Sequence, residues 1–312
     1  MKALRILGIA AAALAFLVIV VGAYVRLSDA GLGCPDWPLC YGHPVPEPVA
    51  DAAAHGKAWK EMGHRYLAGS LGLLIALLAF LSYRFGRFRS LTTALLVVVV
   101  FQATLGMWTV TMLLKPAIVT AHLLGGMTIL ALLVWLCLSQ FQFASTSSSS
   151  IRFHAAAALA LLVVQIALGG WVSANYAALA CPDLPGCLGQ AVPKMNFADA
   201  FHVLRELGRT GDGGLLPLDA LVAIHWTHRM FAIVAFCAVG LAAWKALRSD
   251  GLRFAGTLLF ALLGLQVGLG IANVAFSLPL PLAAAHNAGA ALLLAAVVML
   301  NFFAFRGLRP SR

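Results

Sequence analysis

Residues 34–40 read Cys-Pro-Asp-Trp-Pro-Leu-Cys, and residues 181–187 read Cys-Pro-Asp-Leu-Pro-Gly-Cys. The two blocks lie 147 residues apart, and Gly22 with Val25 recurs at the same interval as Gly169 with Val172. Further along, His64-Arg65 recurs as His228-Arg229, Gln102-x-x-Leu105-Gly106 as Gln266-x-x-Leu269-Gly270, and His122 as His286, now 164 residues apart. The chain is a tandem duplication whose second half carries roughly 17 extra residues after its cysteine block.

What lies between these motifs sets the class. Of 312 residues, 62% are hydrophobic and only 10% charged, with a mean hydropathy of +0.93. A soluble domain carries roughly a quarter charged residues, so soluble enzymes, disordered segments and small disulfide scaffolds are excluded. The net charge of +10 would point to nucleic acid only if Lys and Arg formed a basic face. They sit instead in short clusters between apolar runs, as in polytopic membrane proteins. The partner so implied is membrane lipid, not nucleic acid. Eight runs are long enough to span a ~30 Å hydrocarbon core: 4–25, 62–83, 91–112, 117–140, 153–174, 222–245, 254–275 and 281–305. Backbone groups in the bilayer must pair within their own segment, so the runs read as helices. The first resembles the fifth and lacks a small-x-small cleavage site, and reads as an uncleaved helix.

Each half holds four spans, an even number, so the halves share one topology and are related by an axis along the membrane normal. The expected fold is an all-α polytopic membrane protein. Its eight transmembrane helices form two tandem, pseudo-twofold-related four-helix bundles, residues 1–144 and 151–312, joined by a Ser-rich linker at 145–150. Both termini then share one side with Lys2, Arg5, Arg84, Arg87, Arg89, Arg152, Lys245, Arg248, Arg253, Arg306, Arg309 and Arg312. The positive-inside rule makes that side the cytoplasm. Loops 26–61 and 175–221 fall outside. In the second loop, Phe197, Phe201, Leu204 and Leu207 recur at helical spacing between Asn196 and Gly208. They read as a helix, either lying on the outer leaflet or solvated in the loop.

His64 and His122 are 58 residues apart, and so are His228 and His286. Each lies about one to two turns inside the outer end of an even-numbered span. A lone intramembrane histidine often bridges two helices, but four at matched spacing in duplicated halves point to ligand sites. Zinc wants four ligands, or three and a water, and neither half offers such a set. Two imidazoles from two helices of one bundle suit the opposite axial faces of a haem. Arg65 and Arg229, next in sequence, are candidate anchors for haem propionates, or else snorkel to headgroups. Gln102 and Gln266, beside glycines, either hydrogen-bond across the bundle or lie against the porphyrin.

The halves differ at Glu61, three residues before His64, where the second half has His225. A carboxylate beside one haem suits proton movement during oxidation of a bound substrate. Pairing with Lys57, Lys60 or Arg65 is the alternative. Outside the cytoplasm, the close cysteine pairs read as disulfides, Cys34–Cys40 and Cys181–Cys187. Loops so short would leave the bridges exposed and reducible, and both a structural staple and a redox relay remain open. Cys137 and Cys237 are lone helix residues read as packing.

Taken together, the stretch Gly22 to Ser28, the Cys34–Cys40 block, Glu61-x-x-His64-Arg65, His122, the Cys181–Cys187 block, His228-Arg229 and His286 resemble the haem A synthase family over essentially the whole chain. The resemblance implies a membrane oxidoreductase acting on CH or CH2 groups. It would oxidise the C8 methyl of haem O to a formyl group by successive hydroxylations, giving haem A for terminal oxidases. It implies a haem b cofactor on His228 and His286, a substrate haem on His64 and His122, and Glu61 as a catalytic group, with Cys34 and Cys40 in the redox path. It also implies a bacterial cytoplasmic-membrane location and haem O supplied by a haem O synthase, a farnesyltransferase. The electron donor is left unnamed and self-association open. From the residues alone, a di-haem b electron-transfer protein and a haem-transfer protein without oxidation chemistry compete with this reading.

Overall fold

The computed structural model of the chain describes residues 2–47, 51–141 and 149–306. Among these residues, eight helices are long and apolar enough to cross a membrane. They are α1 (Lys2–Leu27), α2 (Ala52–Arg84), α3 (Arg89–Thr111), α4 (Pro116–Leu138), α5 (Ser149–Ala174), α7 (Leu218–Leu247), α8 (Arg253–Ala275) and α9 (Leu280–Arg306). A single turn, α6 (Phe197–Ala200), lies between α5 and α7. The chain is an all-helical, multi-pass membrane protein.

Local chemistry sets the helix ends. Asp51 caps α2 by accepting the Ala53 N–H at 2.8 Å, and Pro116 occupies the first turn of α4, where no N–H is needed. The predicted runs began at 62 and 222, but α2 starts at Ala52 and α7 at Leu218. Hydropathy marks only the oily part of a helix, whereas the backbone can stay helical into water. The loops expected at 26–61 and 175–221 are correspondingly shorter. The expected serine linker overlaps α5, which includes Ser149 and Ser150. Residues 145–148, together with Arg309 and Arg312, lie outside the described residues.

In the first half α1 and α3 each pack on both α2 and α4, closing a ring; in the second, α5 and α8 each pack on both α7 and α9. The backbone repeats as well. Left-handed conformations fall at Asp29 and Tyr176, Tyr41 and Leu188, Leu113 and Ser277, and Leu114 and Leu278, which are matching positions in the two halves. Across the seam α1 meets α9, α4 meets α5, and α4 meets α9. Burial follows this arrangement: 61% of the most apolar window of α9 is buried, against 17% in α3 and α8. The last two are peripheral and present their side chains to lipid.

At the cysteine-loop end of the seam, Arg26 donates to the Ser173 carbonyl at 2.9 Å and the Tyr176 hydroxyl donates to Asp29 Oδ1 at 2.9 Å. Both pairs are 147 residues apart, so each residue touches its own counterpart. Contacts between counterparts arise where two related units meet on their common axis. Arg26 also reaches the Ala174 carbonyl at 3.3 Å and lies 3.9 Å from the centroid of the Tyr176 ring. A cation is well placed there, because the last carbonyls of α5 have no helical partner.

The helix expected between Asn196 and Gly208 is not formed. It stops after α6, and the chain turns irregularly beyond it. Past Ala200 the chain instead turns Arg205 inward, where it is buried against the end of α5 and donates to Asn175 Oδ1 and to the carbonyls of Glu206 and Arg209. Trp171 donates its Nε1–H to the Ala200 carbonyl at 2.9 Å and lies under the Arg205 guanidinium. The extra segment of the second half is thereby bolted to α5. Replacing Arg26 with Met removes the charged seam contacts and should cost about 1.5–3 kcal/mol, while Tyr176→Phe should cost about 1 kcal/mol. Thermal unfolding in detergent measures both, and equal melting of all three proteins would contradict the seam's role.

Candidate functional site

The four span histidines lie near the cysteine-loop end of α2, α4, α7 and α9, and each imidazole lies against a glycine of a neighbouring helix. A Cβ at Gly22 would stand 2.8 Å from His64 Cε1, and one at Gly169 3.0 Å from His228 Cε1. At Gly106 and Gly270 it would stand 3.2 Å from Cε1 of His122 and His286. The glycines let the rings approach backbone that any side chain would cover. His64 and His122 come from α2 and α4, which α1 and α3 join across the first ring, and His228 and His286 come from α7 and α9 across the second. Gln102 donates to the His122 carbonyl at 2.6 Å, and Gln266 Nε2 lies 3.4 Å from His286 Nε2. Their amides press on Gly125 and Gly289.

Several polar atoms here have no protein partner. Nδ1 of His64, His122 and His286, and Oε1 of Gln102 and Gln266, are buried and unpaired, whereas buried polar groups are nearly always hydrogen-bonded. Among the described residues, no three His, Cys, Asp or Glu side chains gather into one cluster. The donor set in each half is thus two imidazoles from two helices in a glycine-lined cradle, the number and type a haem iron takes axially. The residues fit that group. One neighbour escapes the motif reading. Gln165 of α5 places its Nε2 3.1 Å from His228 Nδ1, and the matching position of the first half is Val18. Comparing the halves position by position is the signal that finds it.

Both disulfides are present. Contrary to the expected exposure, all four cysteines are 0% exposed. The physical reason is a clamp on each loop. Glu61, buried on α2, accepts the Cys34 N–H at 2.9 Å and pairs with Arg65. Arg65 donates to the carbonyls of Asp36 at 2.9 Å and Leu39 at 2.7 Å. In the second half His225 takes the same place, with Nδ1 3.4 Å from the Cys181 nitrogen and Nε2 3.2 Å from Arg229 Nε, and a neutral imidazole accepts at one of the two. Arg229 then donates to the carbonyls of Asp183 at 2.8 Å, Gly186 at 2.9 Å and Cys181. Of the partners considered for Glu61, the structure selects Arg65. Both arginines, read as propionate anchors, spend their guanidiniums on loop carbonyls.

The loops close on themselves through a shared aspartate. Asp36 accepts the N–H groups of Tyr41 and Gly42, and Asp183 those of Leu188 and Gly189. The Gly42 and Gly189 turns have φ of 79° and 72°, which glycine adopts without strain. The backbone donors of Gly189 and Leu188 hold the Asp183 carboxyl below its usual 3.8.

The model of the cytochrome oxidase assembly protein family matches residues 5–298. The chain belongs to this family. It is 43% identical over 305 residues to a protein of Shewanella oneidensis named heme A synthase, with 92% of each chain covered. Heme A synthase of Shouchella clausii is 30% identical over 243 residues, covering 74% of this chain and 78% of the relative. That of Bradyrhizobium diazoefficiens is 28% identical over 338 residues, covering 96% and 90%. The match to the cytochrome oxidase assembly family spans both histidine pairs and both cysteine loops.

A carboxyl with a lowered folded pKa stabilises above its ordinary pKa, and the effect is lost as pH falls through the lower folded value. The Cys181–Cys187 bridge should accordingly resist a phosphine reductant at neutral pH and yield faster as the pH drops below 3.8. Asp183→Ala should yield fast at every pH; quenched labelling with mass spectrometry reads the rates. Gly169→Ala should push His228 aside and cost about 1–3 kcal/mol, seen as a lower melting temperature.

Proposed function

We propose that the chain is a haem A synthase, a membrane oxidoreductase that converts the C8 methyl of haem O to a formyl group through successive hydroxylations. His228 and His286 hold haem b in the second half, and His64 and His122 receive the substrate haem in the first. One observation carries this reading: the duplicated, glycine-cradled histidine pairs stand beside a buried carboxylate, Glu61, in one half only. Electron transfer alone needs no acid or base beside either site. A site that oxidises its occupant needs a proton-handling group beside that occupant.

When bound, haem iron supplies the one-electron chemistry that no side chain here provides. The chain's residues do the rest. His64 with His122, and His228 with His286, would hold the iron of each haem, and the apolar spans would keep water from it. Glu61 lies one turn from His64 on the same helix face. Fixed by the Cys34 N–H and Arg65, it carries protons between the first-half site and the loop. The same contact sets the Cys34–Cys40 bridge beside the proton path, which supports a redox part for that pair. Arg65 and Arg229 hold the loops over the sites, and a propionate would share a guanidinium with the loop carbonyls. The bacterial relatives support a cytoplasmic-membrane location. Arg84, Arg87 and Arg89 join α2 to α3 at the end opposite the cysteine loops, which supports cytoplasmic termini and outward-facing sites. Haem O comes from a farnesyl-transferring haem O synthase, and electrons from a donor outside the chain.

Chromatography of haems extracted from the full chain, expressed with a supply of haem O, tests the reading. Hydroxylated haem O and haem A are expected; unmodified haem O alone overturns it. His228→Ala should lose bound haem b, whereas His64→Ala should keep it and lose conversion, and the reverse pattern would exchange the roles of the halves. Glu61→Gln should slow turnover about 10²–10⁴-fold at unchanged haem b content.

A further inference from the structure

The two histidine pairs have different neighbours. In the second half, Gln165 Nε2 lies 3.1 Å from His228 Nδ1, 3.5 Å from its Nε2 and 3.2 Å from its carbonyl oxygen. In the first half the matching residue is Val18, packed against the apolar core, and His64 Nδ1 is buried without a partner. A carboxamide in the middle of an apolar span is costly. The helix does not need it for packing, since valine serves at the equivalent place in α1. Gln165 Oε1 is itself buried and unpaired, which leaves an acceptor beside the imidazole.

We propose that Gln165 is a positioning residue: its amide donates to the His228 carbonyl and packs on the imidazole, holding the ring that would meet a haem iron. Val18 leaves His64 without that hold. The inference rests on the haem reading above and adds to it what separates a retained haem from an exchanged one. The bond to the carbonyl fixes the turn that carries the ring, and the amide packed on the ring limits its rotation. Losing a group that orients a metal ligand typically weakens metal binding 10–100-fold. A resident cofactor benefits from that hold. A substrate haem, which must enter and leave in every cycle, does not.

The test uses the full chain in detergent, loaded with haem b. Gln165→Val copies the first half, and Gln165→Met keeps the length of the side chain but makes no hydrogen bond. Transfer of haem to excess apomyoglobin gives the release rate, electron paramagnetic resonance reports the axial ligand field, and thermal melting reports the fold. Both variants should release haem b about 10-fold faster or more, with a shifted low-spin signal. A purely structural role would lower the melting temperature and leave that signal in place. Val18→Gln should slow release from the first half and needs no loss of a native contact, so it decides the matter if the Gln165 variants fail to fold. Wild-type release rates and spectra in Gln165→Met and Val18→Gln overturn the proposal while haem binding at His228 stands. Full haem b retention in His228→Ala overturns the haem reading itself.

Discussion

Water does not reach the interior of a membrane-spanning bundle, so every polar group carried there has to find its partner in protein or ligand. The architecture of this chain follows from where that demand is met. Asn301 of α9 meets it by donating to the carbonyls of Ala155 and Val297, tying α9 to α5. Arg26 meets it at the open end of α5, where helix carbonyls want a donor. The four span histidines press on glycines, and three of them, His64, His122 and His286, keep Nδ1 buried and unpaired. Their pairing in matched, glycine-lined places of both halves is what marks the sites.

The duplication shows how one scaffold holds two chemistries. Helix ring, turns, loop closure and glycine cradles recur, while a few positions change hydrogen-bonding capacity or charge. Glu61 becomes His225, Val18 becomes Gln165, Arg26 becomes Ser173 and Asp29 becomes Tyr176. Each pair keeps its place in the backbone. Glu61 and His225 both stand between the first cysteine's N–H and an arginine, so the place of the loop anchor survives the exchange. What differs is that the first half pairs its arginine with a carboxylate and the second with an imidazole. Structure is conserved between the halves by geometry, and chemistry is varied by side chain.

The arginine clamps also couple site to loop. Because Arg65 and Arg229 follow the ligand-candidate histidines directly in α2 and α7, any shift of a cysteine loop pulls on the turn that carries its imidazole. The disulfides close the loops, and the aspartates at 36 and 183 knit their backbones. The extra segment of the second half adds a further brace through Trp171, Asn175 and Arg205. The second-half site is thus the more firmly held of the two on its loop side.

The sequence by itself determined the eight spans, the duplication, the matched histidines and the cysteine pairs. Those features are written in residue type and spacing, because lipid demands apolar length and duplication preserves intervals. Only the tertiary structure decided which partners the polar residues take. That Arg65 closes on loop carbonyls, that four glycines admit four imidazoles, and that Gln165 meets His228 depend on helices far apart in sequence coming within a few ångströms. The irregular path around Arg205, where sequence periodicity indicated a helix, has the same origin: the guanidinium is buried against Asn175, thirty residues earlier in the chain. Hydropathy records how much of a helix lipid will accept, and says nothing of the neighbour that satisfies its polar groups.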